Sequence, residues 1–139
     1  MRALLLDPAD QILLLRGRDP GVANPTTWWF TPGGGINPDE QPLAALRREC
    51  WEELGYVPEQ FHGPIARRRY CFEFDKHWLV QDTEYFWARV PAFDPMPQHL
   101  SELEKRFLLG WRWWPQASLA ATTEVIYPED LTGLIVGLR

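Results

Sequence analysis

The sequence predicts a folded domain of mixed α/β or α+β class, and three observations carry that expectation. Short apolar and β-branched runs of strand length alternate with two stretches of helical period. The 13 prolines fall between these runs as punctuation, and 45% of the 139 residues are apolar. A chain of this length buries roughly two-thirds of the surface its unfolded form exposes, so the core needs neither a disulfide nor a structural metal. Residues 1–139 are expected to form one domain.

Ala3–Leu6 and Ile12–Leu15 are apolar runs separated by Asp7-Pro8-Ala9-Asp10, residues that favour a turn, and together they predict a β-hairpin. Trp28–Thr31 is a third strand, ended by Pro32 and the run Gly33-Gly34-Gly35. From Pro42 to Leu54 the period becomes helical, with Leu43, Leu46, Cys50 and Leu54 making one apolar stripe. Pro42 suits the first helical position, where its missing N–H costs nothing, and Gly55 suits the left-handed residue past the end. Ile65–Phe74 and Trp78–Val90 are rich in aromatic and β-branched residues and predict strands joined by a turn at Asp75-Lys76-His77. Pro91–Leu109 reads as a polar loop holding a short helix with Glu102 and Glu104, and Trp111–Trp114 as the last strand. Leu131, Leu134, Ile135 and Leu138 mark a closing helix begun at Pro128.

Lys and Arg total 14 against 19 Asp and Glu, a net charge of −5. Such a chain has no overall pull toward duplex nucleic acid or an anionic membrane, so neither is an expected partner. A small anionic substrate would need a bound metal or a few arginines. The two cysteines, Cys50 and Cys71, fit free thiols in a reducing cytoplasm better than a disulfide scaffold. The apolar stretch at the start is too short for a signal peptide, and no run reaches membrane-spanning length, so the expected compartment is the cytoplasm.

The chemistry concentrates on the Pro42–Leu54 helix. At 100° per residue Glu49, Glu52 and Glu53 fall within about a third of the circumference, and two carboxylates ~5 Å apart repel by ~3 kcal/mol at an effective dielectric of 20. A divalent cation reverses that sign, and hard oxygen ligands suit Mg²⁺ or Mn²⁺, whereas nothing has the Cys/His spacing of a zinc site. Taken alone, three helical glutamates more often describe a solvated acidic face.

Their surroundings add to the signal. Gly34, Glu40, Arg48, Glu49, Glu52, Glu53 and Gly55 stand at the spacing G-x5-E-x7-R-E-U-x-E-E-x-G-U, in which U is aliphatic, and Cys50 and Tyr56 occupy the two U places. This pattern resembles the Nudix box. The resemblance implies a Nudix α/β/α sandwich with a mixed β-sheet between helices. It also implies hydrolysis of the pyrophosphate linkage of a nucleoside diphosphate joined to another moiety. Glu49, Glu52, Glu53 and a backbone carbonyl, Gly33 or Gly34, would hold Mg²⁺, with Mn²⁺ as substitute. Glu52, Glu53 and a carboxylate from a later loop, Glu104 ahead of Glu102, would carry the catalytic work, while Gly34, Glu40 and Arg48 brace the loop and helix. The implied substrate is a small nucleotide: a nucleoside triphosphate, a nucleotide sugar, ADP-ribose or a dinucleoside polyphosphate. The resemblance leaves room for a homodimer, and the alternative is a nucleotide-sensing module of the same fold without catalysis.

Adjacent residues of a strand point to opposite faces, so at most one of Trp28 and Trp29 reaches a given pocket; these two and Arg16 are the substrate-binding candidates. Arg67-Arg68-Arg69 could meet phosphates, but the same alternation splits the run across two faces, and a solvated edge strand explains it as well.

Overall fold

A computed structural model describes residues 1–138. Strands β1 (Arg2–Leu6) and β2 (Ile12–Arg18) form the expected hairpin. Its turn is held by Asp7, whose Oδ1 accepts from the amides of Ala9 and Gln11 at 2.9 and 2.8 Å. The two strands pair at Leu6 and Ile12 and then diverge. β1 runs on parallel to β5 (His77–Arg89), and β2 pairs antiparallel with β3 (Thr27–Phe30) on one edge and β6 (Leu108–Trp114) on the other. β4 (His62–Phe74) closes one edge as the hairpin partner of β5, and the two-residue β7 (Ile126–Tyr127) runs parallel to β3. The sheet order β4-β5-β1-β2-β3-β7, with β6 against β2, is therefore mixed.

The central strands are buried on both faces, which is why Leu4-Leu5-Leu6 and Ile12-Leu13-Leu14 read as continuous apolar runs rather than alternating ones. Ala3, Leu5, Leu13 and Leu15 meet Leu46, Cys50 and Leu54 of α1 (Pro42–Leu54) on one face. Leu4, Leu6, Ile12 and Leu14 meet Leu119 of α3 (Gln116–Ala121) and Leu131 and Ile135 of α4 (Leu131–Ile135) on the other. The expected α/β/α layering is what this produces.

α1 has the predicted bounds, with Pro42 in the first turn and Gly55 left-handed at φ 68°. Leu43 does not belong to its apolar stripe: it is 40% exposed, in the first turn, while Leu46, Cys50 and Leu54 alone carry the packing. Asp75 and Lys76 both take positive φ, the geometry that matches a two-residue turn to the twist of its strands, so His77 already belongs to β5. The expected last strand is not last. β6 begins three residues before Trp111, at Leu108, because α2 (Glu102–Phe107) feeds directly into it, and β7 follows later. The closing helix is cut to five residues starting at Leu131, and α3 precedes it as an element the sequence reading did not include.

The tip of the β4–β5 hairpin is fastened at its far end. Asp19 Oδ1 accepts from the amides of Gly21 and Asp75 at 2.8 and 3.0 Å, and Arg106 of α2 lies 3.6 Å from Asp75. Phe74 stands edge-on to Trp28 and Phe107, and Phe107 also meets Phe30. This aromatic clasp fixes where α2 lies, and α2 carries Glu104.

Candidate active site

α1 is anchored at its C-terminal end by the segment that follows β5. The orphan carbonyl of Leu54 accepts from Met96, and that of Glu52 accepts from Gln98 and His99 at 2.9 and 3.1 Å. So held, the helix turns Glu49 and Glu53 inward, 8% and 3% exposed, against the glycine loop. The buried Oε1 of Glu53 accepts from the Gly33 amide at 2.9 Å. Gly34 lies so close to Glu49 that a Cβ there would stand 2.5 Å from its carboxyl carbon. Gly33 has φ 141°, and a Cβ on it would collide with the Met1 carbonyl. Gly34 thus lets backbone press against Glu49 where a side chain would push the carboxylate away, and Gly33 packs against the Met1 backbone while its amide holds Glu53.

Glu104 arrives from α2, whose N-terminus is closed by a reciprocal cap: Ser101 Oγ accepts from the Glu104 amide at 3.1 Å and Glu104 Oε1 from the Ser101 amide at 2.9 Å. Glu49, Glu53 and Glu104 each offer an oxygen within 4.8 Å of the others. Burial pushes the Glu53 carboxyl up to about 8, aided by repulsion from Glu49 and Glu104 and opposed by Arg2 and the Gly33 amide. Burial likewise raises Glu49, against the nearby Arg48. Three oxygen donors at this spacing, two of them buried carboxylates whose charge burial disfavours, form the set a hard divalent cation would relieve.

Arg48 is the hub of the outer layer. Its Nε and Nη2 reach the two oxygens of Glu40 at 2.9 and 3.1 Å, and Nη2 also reaches the Gly35 carbonyl at 2.9 Å. Nη1 is shared between Glu49 and Glu52 at 3.0 and 3.1 Å. Glu40 in turn accepts from the Asn37 amide at 3.0 Å, so one guanidinium ties the loop to the helix.

A model of the NUDIX domain matches residues 1–131. The chain belongs to the NUDIX family. Among curated proteins, an RNA pyrophosphohydrolase of Acidiphilium cryptum is 31% identical over 126 residues, covering 86% of this chain and 76% of that one. An RNA pyrophosphohydrolase of Roseobacter denitrificans is 28% identical over 127 residues, covering 84% and 75%. Among solved structures, the NUDIX domain of Shewanella oneidensis NrtR, a cocrystal with ADP ribose, superposes with TM-score 0.66 at 20% identity, covering 96% of this chain and 82% of that one. A MutT NUDIX hydrolase from Burkholderia pseudomallei gives TM-score 0.65 at 18% identity, covering 97% of both. These two likenesses establish the fold, and the curated relatives agree with the hydrolase class expected from the box.

Within this NUDIX domain the expected residues sort unevenly. Glu104 joins Glu49 and Glu53, whereas Glu102 points to solvent and pairs with Lys105. Glu52 is set apart from the trio and held by Arg48 through one oxygen. Gly33 meets the site through its amide; its carbonyl accepts from Arg2 Nη1 at 3.1 Å, and the Gly34 carbonyl accepts from the Met1 amino group at 2.9 Å. Trp29 is corrected from pocket to core. It is 8% exposed, edge-on to Trp114, and its indole N–H reaches Glu124 at 3.1 Å. Arg16 follows it, its guanidinium over the Trp29 ring and bonded to Thr27, away from the carboxylates because β2 alternation sends it to the α3–α4 face. Trp28 turns to the opposite face and packs on Phe74.

Sequence reasoning passed over Arg2. Its Nη1 bridges the carbonyls of Thr31 and Gly33, each at 3.1 Å, and its guanidinium lies over Phe30. A lone arginine at the head of an apolar strand carries no local signal, since its partners are about thirty residues away. Beside the glycine loop opens a cleft of about 690 Å³ between Gly34–Ile36 and the facing segments of β4 and β5. No helix among the described residues is long and apolar enough to cross a membrane.

Proposed function

We propose that the chain is a Mg²⁺-dependent hydrolase of the pyrophosphate linkage in a nucleoside diphosphate joined to another moiety, working in the cytoplasm, with Glu49, Glu53 and Glu104 as the metal-holding residues and Mn²⁺ as a substitute ion. The observation that carries this reading is the convergence of two buried box carboxylates and a third from a separate helix within 4.8 Å, with burial opposing the charge of Glu49 and Glu53. The relatives named RNA pyrophosphohydrolase support the bond class.

When bound, the ion would neutralise phosphate charge and lower the pKa of a coordinated water. The chain's own residues prepare for this. Arg48 keeps Glu49 oriented, the Gly33 amide fixes one oxygen of Glu53, and Arg2 fixes Gly33 by its carbonyl. Glu52, bonded to Arg48 through Oε2 only, retains Oε1 as a proton acceptor at the edge of the site. Burial by α1 and the glycine loop excludes bulk water from Glu53, which strengthens each charge interaction there.

The test is product analysis by mass spectrometry after incubation with nucleoside triphosphates, nucleotide sugars, ADP-ribose and dinucleoside polyphosphates, with and without Mg²⁺. Metal-dependent cleavage that disappears in folded Glu53→Gln is the expected result. Normal turnover by that variant would overturn the site assignment. Tight nucleotide binding without cleavage of any compound would favour the sensing-module alternative.

A further inference from the structure

The cleft beside the carboxylates has a wall whose charges balance. The β4–β5 register sets Arg67 opposite Glu84 and Arg69 opposite Asp82. Strand alternation puts these four on one face, while Arg68 turns to the other and bonds Asp130 at 2.7 Å. Arg69 holds Asp82 through two bonds, at 2.7 and 3.1 Å. Arg67 approaches Glu84 with Nε at 3.4 Å, its side chain is 76% exposed, and its two terminal nitrogens make no hydrogen bond among the described residues. The wall adjoins the carboxylate trio, because Gly34, which touches Glu49, lines the same cleft.

On this wall two guanidiniums face two carboxylates, so the wall itself carries no surplus positive charge, while Arg2 and the Met1 amino group, which also line the cleft, are bonded to the carbonyls of Thr31, Gly33 and Gly34. Such a wall complements a neutral group that carries acceptors and N–H donors side by side. Ile36, 47% exposed and lining the same cleft, offers an apolar side chain to a flat ring, and a Cβ at Gly35 would meet nothing within 4 Å. A volume of about 690 Å³ is in the range of small-molecule sites.

We propose that this cleft is the nucleobase subsite of the reaction proposed above, and that it selects guanine. The Arg67 terminal nitrogens donate to O6 and N7, the acceptor pair that arginine reads in guanine, while the Glu84 carboxylate accepts from N1–H and the 2-amino group. Adenine inverts the match. Its 6-amino group faces the guanidinium and its N1 lone pair faces the carboxylate, so selection comes from mismatch as much as from fit. The inference rests on the hydrolase reading only for the identity of the reaction.

The experiment compares kcat/KM of the full chain for GTP, ITP and ATP in Mg²⁺, alongside equilibrium binding of GMP and AMP, which contain no anhydride bond. GTP is expected to exceed ATP at least about tenfold, chiefly through KM, with ITP between because it lacks the 2-amino group. Glu84→Gln and Arg67→Ala, both on the cleft wall and outside the core, should bring GTP and ATP within about twofold. Equal values for GTP and ATP in the wild type, or a preference that survives both substitutions, would overturn the subsite. Absence of any turnover would count against the hydrolase reading, while the GMP and AMP affinities would still decide the subsite.

Discussion

In protein freed of divalent cations, Glu53→Gln is expected to raise stability at neutral pH. Burial lifts the Glu53 carboxyl from 4.5 to about 8 in the folded chain. Between those values the folded state binds more protons than the unfolded one, so metal-free stability falls as pH rises through that window. At about 1.4 kcal/mol per pKa unit, the native state loses about 3 kcal/mol relative to the unfolded chain by pH 7 and about 5 kcal/mol above pH 8. Glutamine removes that penalty, keeps the volume, and retains an oxygen for the Gly33 amide. Urea unfolding in EDTA at pH 5, 7 and 8 reads the effect. The wild type should weaken steadily from pH 5 to pH 8, the variant far less, and the two should converge near pH 5. Excess Mg²⁺ should reverse the order at pH 7, because only the wild type gains ligand-linked stability. A variant no more stable than wild type at pH 7 in EDTA would refute the argument that burial, relieved by a cation, governs this site.

Two further substitutions test the geometry of the trio. Glu104→Gln should raise the Mg²⁺ concentration needed for half-maximal activity at least about tenfold, the scale of a lost charge-assisted contact, whereas Glu102→Gln should leave it unchanged; metal titrations of activity compare them directly. Gly34→Ala places a methyl where the Glu49 carboxyl stands, so it should weaken Mg²⁺ binding in calorimetry while α1 keeps its helicity by circular dichroism.

Local signals made α1 legible. Pro42, Gly55 and the Leu46, Cys50, Leu54 stripe act within the helix itself, and the box spacing puts Glu49 and Glu53 on its inner face. The same local logic failed for Leu43, where periodicity continues one turn beyond the surface the helix covers. It failed for Trp29 as well. Alternation correctly separated it from Trp28, but which face held the pocket depended on β6 placing Trp114 against it. Glu52 sits within the helical arc yet is drawn away by Arg48, a competition between neighbours that spacing does not rank. The sequence favours Glu104 only slightly over Glu102, and the Ser101 cap and the Phe107 contacts are what fix the rotation of α2. Arg2 left no mark at all, because its role exists only across a long loop closure.

The β4–β5 arm is tied at both ends, to β1 at its base and to Asp19 and Arg106 at its tip. Mechanically it is a beam rather than a flap. A ligand in the trough beneath it would enter from the open side at the pace of diffusion, and its residence would follow the strength of its contacts rather than the opening of a gate. The same beam meets α2, the helix that carries Glu104, through Asp75 against Arg106 and Phe74 against Phe107.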